Sequence, residues 1–249
     1  MTEPDPVLAG VEIDLDELPS GDRKRTAVRA MFDTIAPRYD LVNRIVTFRL
    51  DVRWRRRTIR ELGLPGGSVV LDLACGTGDL CRELTSRGHV ALGLDLSMGM
   101  LRAARTSSPL VHADILAMPL VDRACDGATC GFALRNLAEL PGFFEELARV
   151  VRPGGRIALL EVAEPPNRLL RRGHKLYFGR VVPRIGALLS DRTAYRYLPR
   201  SVAYLPSAPE LGARLRDAGF TDVRHQLLTA GLSQLFTATR CSPHRQTHP

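Results

Sequence analysis

The chain has 249 residues, of which 45% are hydrophobic and 25% charged, and a formal net charge of +8. That length supports a full core in one large domain or two small ones, and the composition excludes collagenous, low-complexity and disulfide-stapled classes. No apolar stretch reaches the ~20 residues of a membrane span, and the acidic, proline-containing Met1–Asp22 lacks a signal-peptide core, so a cytoplasmic location is expected.

Residues 1–25 read as a disordered tail. Residues 26–63 read as a helical cap: Val28, Met31, Phe32 and Ile35 share one face, Leu41, Ile45 and Phe48 follow, and Pro37 breaks the run. Residues 64–164 alternate strand and helix. The expected strands are Val69–Leu73, Val90–Leu94, Leu110–Ala113, Gly127–Phe132 and Arg156–Glu161. Helices are expected over Leu80–Arg87, Met98–Thr106 and Gly142–Val151, the last stopped by Pro153-Gly154-Gly155. Such alternation means a parallel sheet wrapped by helices. Residues 165–206 are basic and too irregular for a further unit; Pro183 should interrupt any long helix there. Residues 207–240 hold a helix, Glu210–Ala218, and a hairpin of Asp222–Thr229 and Leu232–Thr239 around Ala230-Gly231; residues 241–249 read as a second tail. The expected fold is α/β, a Rossmann-like class I methyltransferase sheet with one domain over residues 26–240. The closing antiparallel hairpin distinguishes it from a dinucleotide dehydrogenase, by fold analogy.

The first strand runs into Asp72-Leu73-Ala74-Cys75-Gly76-Thr77-Gly78. This is D-x-x-x-G-x-G, not the G-x-G-x-x-G of a pyrophosphate loop. Gly76 and Gly78 let backbone approach a ligand, and Asp95, ending the second strand, stands where an acid takes ribose hydroxyls. A nucleoside without a phosphate clamp points to S-adenosyl-L-methionine. Asp114 after the third strand can accept from an adenine amino group, with Ile115 beside the ring. The alternative, a turn whose glycines serve packing only, is weaker once Asp95 and Asp114 are counted. The fourth strand leads into Gly131-Phe132-Ala133-Leu134-Arg135-Asn136 on the ligand-binding edge of such a sheet. There Arg135 can hold a phenolate or quinol oxygen and Asn136 can orient it. Five cysteines and six histidines show no zinc spacing, so no metal is expected.

From Arg168 to Arg200 there are eight arginines, one lysine and one acid, interleaved with leucine, valine, tyrosine and phenylalanine. Solvated helix faces explain most such runs. Apolar interleaving favours an anionic membrane surface over nucleic acid as partner.

Several segments resemble the ubiquinone/menaquinone biosynthesis C-methyltransferase family, with demethylmenaquinone methyltransferases as its nearest type. Phe32-Asp33-Thr34-Ile35-Ala36-Pro37-Arg38-Tyr39-Asp40-Leu41-Val42-Asn43 is similar to its opening F-D-x-I-A-x-x-Y-D-x-x-N, and Trp54-Arg55-Arg56 to its W-R-R. Ala133-Leu134-Arg135-Asn136 is similar to G-L-R-N, Arg152–Arg156 with Glu161 to K-P-G-G-R…E, Tyr195–Leu198 to Y-x-Y-L, and Thr229-Ala230-Gly231 to T-x-G. The resemblance implies metal-free methylation of a ring carbon of a polyprenyl quinol, and a homodimer. It implies cofactor contacts at Asp72, Gly76, Thr77, Gly78, Asp95, Asp114, Ile115 and Gly131, catalytic roles for Tyr39, Arg135 and Asn136, and substrate contacts at Asn43, Phe132 and Tyr195. Three places depart from the family: Arg49 replaces its usual glycine, the strand Leu232–Arg240 lacks its histidine, and Ser190-Asp191 lacks a residue often present. A relative acting on another aromatic or polyketide-like metabolite, and a basic nucleic-acid-associated protein, are the alternatives.

Overall fold

The computed structural model describes residues 7–8, 11–12, 20–189, 197 and 201–242. Seven strands form one sheet: β1 (Val69–Leu73), β2 (Val90–Asp95), β3 (Leu110–His112), β4 (Cys125–Gly131), β5 (Val151–Val162), β6 (Phe220–Leu228) and β7 (Ser233–Arg240). Their order is β3-β2-β1-β4-β5-β7-β6. The first five are parallel, with Val69 opposite Val90 and Leu71 opposite Ala128. β7 slots antiparallel between β5 and β6, so the expected hairpin is present and its second strand is the inner one. β7 is buried over Ser233–Ala238, whereas β6 forms an exposed edge.

Helices cover both faces because each presents one apolar stripe. On one face α6 (Leu140–Val150) and α9 (Ala208–Asp217) bury Phe143, Phe144, Leu147, Leu211 and Leu215 against Leu159 and Phe236. On the other, α3 (Leu50–Leu62) and α4 (Asp79–Ser86) bury Trp54, Ile59, Leu62 and Leu84 against Leu160 and Leu235. A third cluster joins the cap helices α1 (Gly21–Ile35) and α2 (Tyr39–Val46) to Met100 of α5 (Met98–Ala103) and to Val182 and Tyr197.

The structure corrects several boundaries. α1 begins at Gly21, inside the stretch read as tail, and residues 7–8 pair with 11–12. Pro37 does not end the cap; it sits in the first turn of a 3₁₀ segment, Ala36–Arg38, where its missing N–H is no loss. α5 stops at Ala103, short of Thr106. β5 starts at Val151, and Pro153-Gly154-Gly155 lies in a register shift opposite Cys125–Gly127 rather than between elements. Gly155 is required there, since a Cβ would stand 2.6 Å from the Asp126 carbonyl. The β6–β7 connection is Thr229–Leu232, longer than Ala230-Gly231 alone, because Leu228 pairs with Ser233.

The basic segment is helical despite Pro183. α7 (Arg168–Leu176) continues through a π turn (Tyr177–Val181) into α8 (Val182–Leu189). The wider turn falls just before the proline, where the ring and the absent N–H disturb the α ladder. Asn167 caps α7, its side-chain oxygen accepting from the amides of Leu169 and Leu170.

Candidate active site

A cavity of about 800 Å³, mouth included, opens at the carboxyl ends of β1, β2 and β4. Its floor is Ala74, Gly76, Asp95, Leu96, Asp114, Ile115, Gly131 and Phe132; its roof is Arg25, Val28, Phe32 and Tyr39 of the cap.

The floor is shaped by backbone. Ala74, Gly76 and Gly78 all have positive φ, of 52°, 55° and 81°, which folds the chain back under the strand end. A Cβ on Gly76 would meet nothing closer than Met100 Sδ at 4.0 Å, so the space it leaves belongs to the cavity. Gly78 serves packing instead, since a Cβ there would lie 2.7 Å from Thr106. Asp95 is 9% exposed, and burial pushes its carboxyl up from the usual range. Its Oδ2 accepts from the Gly76 amide at 2.8 Å and its Oδ1 from the Ser97 amide at 2.7 Å. Each oxygen keeps a free lone pair, an arrangement ready for two vicinal hydroxyls. Asp114 Oδ1 accepts from the Leu116 amide at 2.9 Å, while Oδ2 pairs with Arg25 of α1 at 2.6 Å. Ribose acceptor, adenine acceptor, apolar Leu96 and Ile115 walls and the Gly76 opening together fit S-adenosyl-L-methionine.

Three expected cofactor contacts lie elsewhere. Asp72 is 1% exposed and sits within β1, accepting from Cys81 Sγ and from Thr129 Oγ1 at 3.1 Å; burial raises its pKa to about 7. The Thr77 hydroxyl points to the cap, donating to Asp40 Oδ1 at 2.5 Å. Gly78 packs on Thr106. These residues shape the turn from behind and do not line the cavity.

The cap carries two carboxylates that sequence reasoning missed. Asp33 Oδ1 accepts from Ser97 Oγ at 2.6 Å and from the Gly99 amide at 2.7 Å. Gly99 is glycine because a Cβ would stand 2.8 Å from Asp33 Cα. Asp33 thus clips α1 to the start of α5, as Asp40 clips α2 to the glycine turn. Both lie within the opening signature, which quoted them without a role. Tyr39 faces the cavity, while Asn43 is not among its lining residues; burial raises the Tyr39 hydroxyl pKa, and the charge of Arg55 opposes that shift.

Past β4 the chain turns at Phe132, whose φ of 61° is unusual for a bulky residue. The W-R-R segment supports it from below: the Trp54 ring lies 6.2 Å from the Phe132 ring, and Trp54 Nε1 donates to Thr229 Oγ1 at 2.8 Å. Arg55, buried and paired with Asp51 and Asp79, lies 5.6 Å over the same ring. The next turn separates the expected catalytic pair. Arg135 is withdrawn from the cavity. Its guanidinium pairs with Glu161, which is fully buried on β5, and donates to Ser201 Oγ at 3.1 Å and the Phe132 carbonyl at 2.8 Å. An arginine so neutralised holds its own loop, and Arg135, expected to contact substrate, is not among the residues that line the cavity. Asn136 does line the cavity. Its Nδ2 donates to the Phe132 carbonyl at 3.4 Å, leaving Oδ1 buried and, among the described residues, without a partner. Tyr195 lies outside the described residues, as do Ser190-Asp191. Among the described residues no cluster of metal-binding side chains occurs.

The family model described as the ubiE/COQ5 methyltransferase family matches residues 20–240. The chain belongs to the ubiE/COQ5 methyltransferase family. A ubiquinone/menaquinone biosynthesis C-methyltransferase of Syntrophotalea carbinolica is 42% identical over 225 residues, covering 86% of this chain and 94% of that one. A demethylmenaquinone methyltransferase of Roseiflexus is 39% identical over 231 residues, covering 90% and 97%. Among solved structures, an S-adenosylmethionine-dependent methyltransferase of Aquifex aeolicus aligns with a TM-score of 0.54 at 19% identity, over 74% of this chain and 88% of that one, which shows the fold. The ubiE/COQ5 signatures acquire physical meaning here. The glycine that Arg49 replaces is a left-handed position, with φ 60°. The closing T-x-G supplies the partner of Trp54 and a Gly231 whose Cβ would strike Pro166 at 2.7 Å. The altered strand β7 lies in the sheet, where Phe236 stacks on His225, and none of it lines the cavity.

Proposed function

We propose that this S-adenosyl-L-methionine-dependent methyltransferase methylates a ring carbon of a polyprenyl hydroquinone, converting demethylmenaquinol to menaquinol. The names of the relatives support that substrate. The observation that carries the reading is the buried, unpartnered Asn136 Oδ1 in a largely apolar wall. A buried acceptor of this kind needs a donor. A hydroquinone hydroxyl supplies one, and an oxidised quinone, with carbonyls only, does not.

Bound S-adenosyl-L-methionine supplies a methyl group already activated on a sulfonium. The chain then has to align, polarise and exclude water. Asp95 and Asp114 fix the nucleoside end. Asn136 accepts a hydrogen bond from the ring hydroxyl, which raises electron density on the adjacent ring carbon; once that carbon carries the methyl group, its own hydrogen leaves to solvent as a proton and the aromatic ring is restored. The Phe132 carbonyl accepts from the amide nitrogen, which leaves Oδ1 as the unpaired group of the side chain. Val28, Phe32, Leu116 and Leu137 keep the wall dry. The polyprenyl tail partitions into lipid, so this reading also places the enzyme at a membrane surface.

The test uses purified protein, S-adenosyl-L-methionine and a short-tailed demethylmenaquinone analogue in reduced and oxidised form. Methylation is expected with the quinol and not with the quinone. Asn136→Leu should slow methyl transfer by about 10²-fold, the scale of losing one stabilising polar contact at the reacting oxygen. Its affinity for S-adenosyl-L-methionine should stay within about twofold of wild type. Undiminished turnover in that variant, or equal turnover of quinone, defeats the proposal.

A further inference from the structure

α7 is an anomaly in a folded domain: none of its residues is buried. Its leucines face solvent, with Leu169 77% and Leu176 53% exposed, although seven residues apart they share one side of the helix. Soluble helices bury such a stripe. The neighbouring α2–α3 turn repeats the pattern. Phe48 is 75% exposed, on a left-handed backbone of φ 51°. The two features belong to one body. The Phe48 and Tyr177 rings are 5.9 Å apart, and Tyr177 Oη donates to the Val46 carbonyl at 3.0 Å. Tyr177 and Phe178 in turn pack on the cap core that holds α1 over the cavity.

The charge around this apolar face has one sign. Residues 168–189 contain five arginines and one lysine and no acid. Arg168, Arg172, Lys175, Arg180 and Arg184 are exposed. Among the described residues only Lys175 has an acidic partner, Glu164 at 3.3 Å.

We infer that α7, the π turn after it and the Phe48 turn form one face that lies in the surface of an anionic lipid bilayer, leucines and phenylalanine among the acyl chains and arginines among the headgroups. An in-plane helix with an apolar stripe and a basic flank has this chemistry. A second copy of the chain fits worse, because a two-fold contact through this face would set basic side chains against one another. An RNA fits worse too, because base stacking needs a row of open rings, whereas among the described residues Phe48 is the one open ring of this face and Tyr177 and Phe178 are half-buried in the cap. The inference rests on the quinol reading for its purpose: a substrate dissolved in the bilayer has to be reached from its surface.

Flotation of the full-length protein with vesicles tests it. Wild type should float with vesicles of phosphatidylcholine and phosphatidylglycerol at low salt, less in high salt, and hardly with phosphatidylcholine alone. The double variant Leu169→Gln/Leu176→Gln and the single variant Phe48→Ser should each weaken binding by about tenfold or more. These side chains are exposed, so melting temperature and turnover of a tailless quinol in buffer should not change, while turnover of a long-tailed quinol in vesicles falls. Failure of wild type to float overturns the inference, as does unaltered flotation of both variants. So does a result in which the substitutions abolish RNA retention or a sedimenting dimer while vesicles are ignored. Flotation that depends on Leu169 and Leu176 without methylation of any quinol upholds the docking face and rejects the quinol reading.

Discussion

Asp95 and Asn136 face the same cavity but are held in different ways. Asp95 is fixed by two backbone amides from the adjoining turns, both within two dozen residues of it in sequence. Asn136 is fixed by the carbonyl of a strained Phe132, on a loop tied to the buried Arg135–Glu161 pair and propped by Trp54 and Arg55. The Asp95 half of the site is therefore built chiefly from turns of the sheet. The acceptor half is built from side chains brought together over long sequence distances, and it depends on each of them.

The sharpest way to break this contrast is Glu161→Ala. It leaves the Arg135 guanidinium buried and unpaired, and should cost about 3–5 kcal/mol of folding stability. Chemical denaturation measures it. A variant that keeps its stability and loses only turnover would return Arg135 to the substrate. On the nucleoside side, Asp95→Ala should leave the fold largely intact and weaken S-adenosyl-L-methionine binding by roughly 2–4 kcal/mol, through loss of a charged acceptor. Unchanged affinity by calorimetry would remove Asp95 from the cofactor site.

A smaller effect separates residues behind the turn from those in it. Burial raises Asp72 from the ordinary carboxyl value of 3.8 to about 7. The folded state then binds more protons than the unfolded state between those values, so stability is fullest below about pH 4 and is lost as pH rises towards 7. Asp72→Asn should flatten that part of the profile by roughly 1–3 kcal/mol. An unchanged difference between wild type and variant across pH 4.5–7.5, in about half-unit steps, would show that Asp72 is already ionised in the fold. The smallest effect is in the cap. Arg49→Gly relieves a left-handed residue and should raise stability by about 1 kcal/mol in thermal unfolding. A loss instead would mean that the arginine side chain outweighs its backbone strain.

The same contrast explains what could be read in advance. The alternation of parallel strands with helices, the closing hairpin, the glycine turn and the strand-end positions of Asp95 and Asp114 were legible, because strand periodicity, glycine spacing and an acid at a strand end are local patterns. The role of Asp33 was not, because its partners, Ser97 and Gly99, lie more than sixty residues away. Nor was the difference between Arg135 and Asn136 legible. Adjacent residues at a sheet edge look equivalent until Glu161, from the next strand, claims one of them. Pro183 misled for a related reason: proline forbids an ordinary α ladder, but one π turn accommodates it.

The Asp33 and Asp40 clips bear on timing as well as position. In the proposed placement the nucleoside sits beneath the cap, so the spent cofactor leaves when the cap lifts off Ser97, Gly99 and Thr77. If breaking these contacts together costs about 3–5 kcal/mol, the open form makes up roughly one molecule in a hundred to one in several thousand. Methyl transfer then runs in a chamber that is closed nearly all the time, and its opening is controlled by two carboxylates far from the reacting carbon.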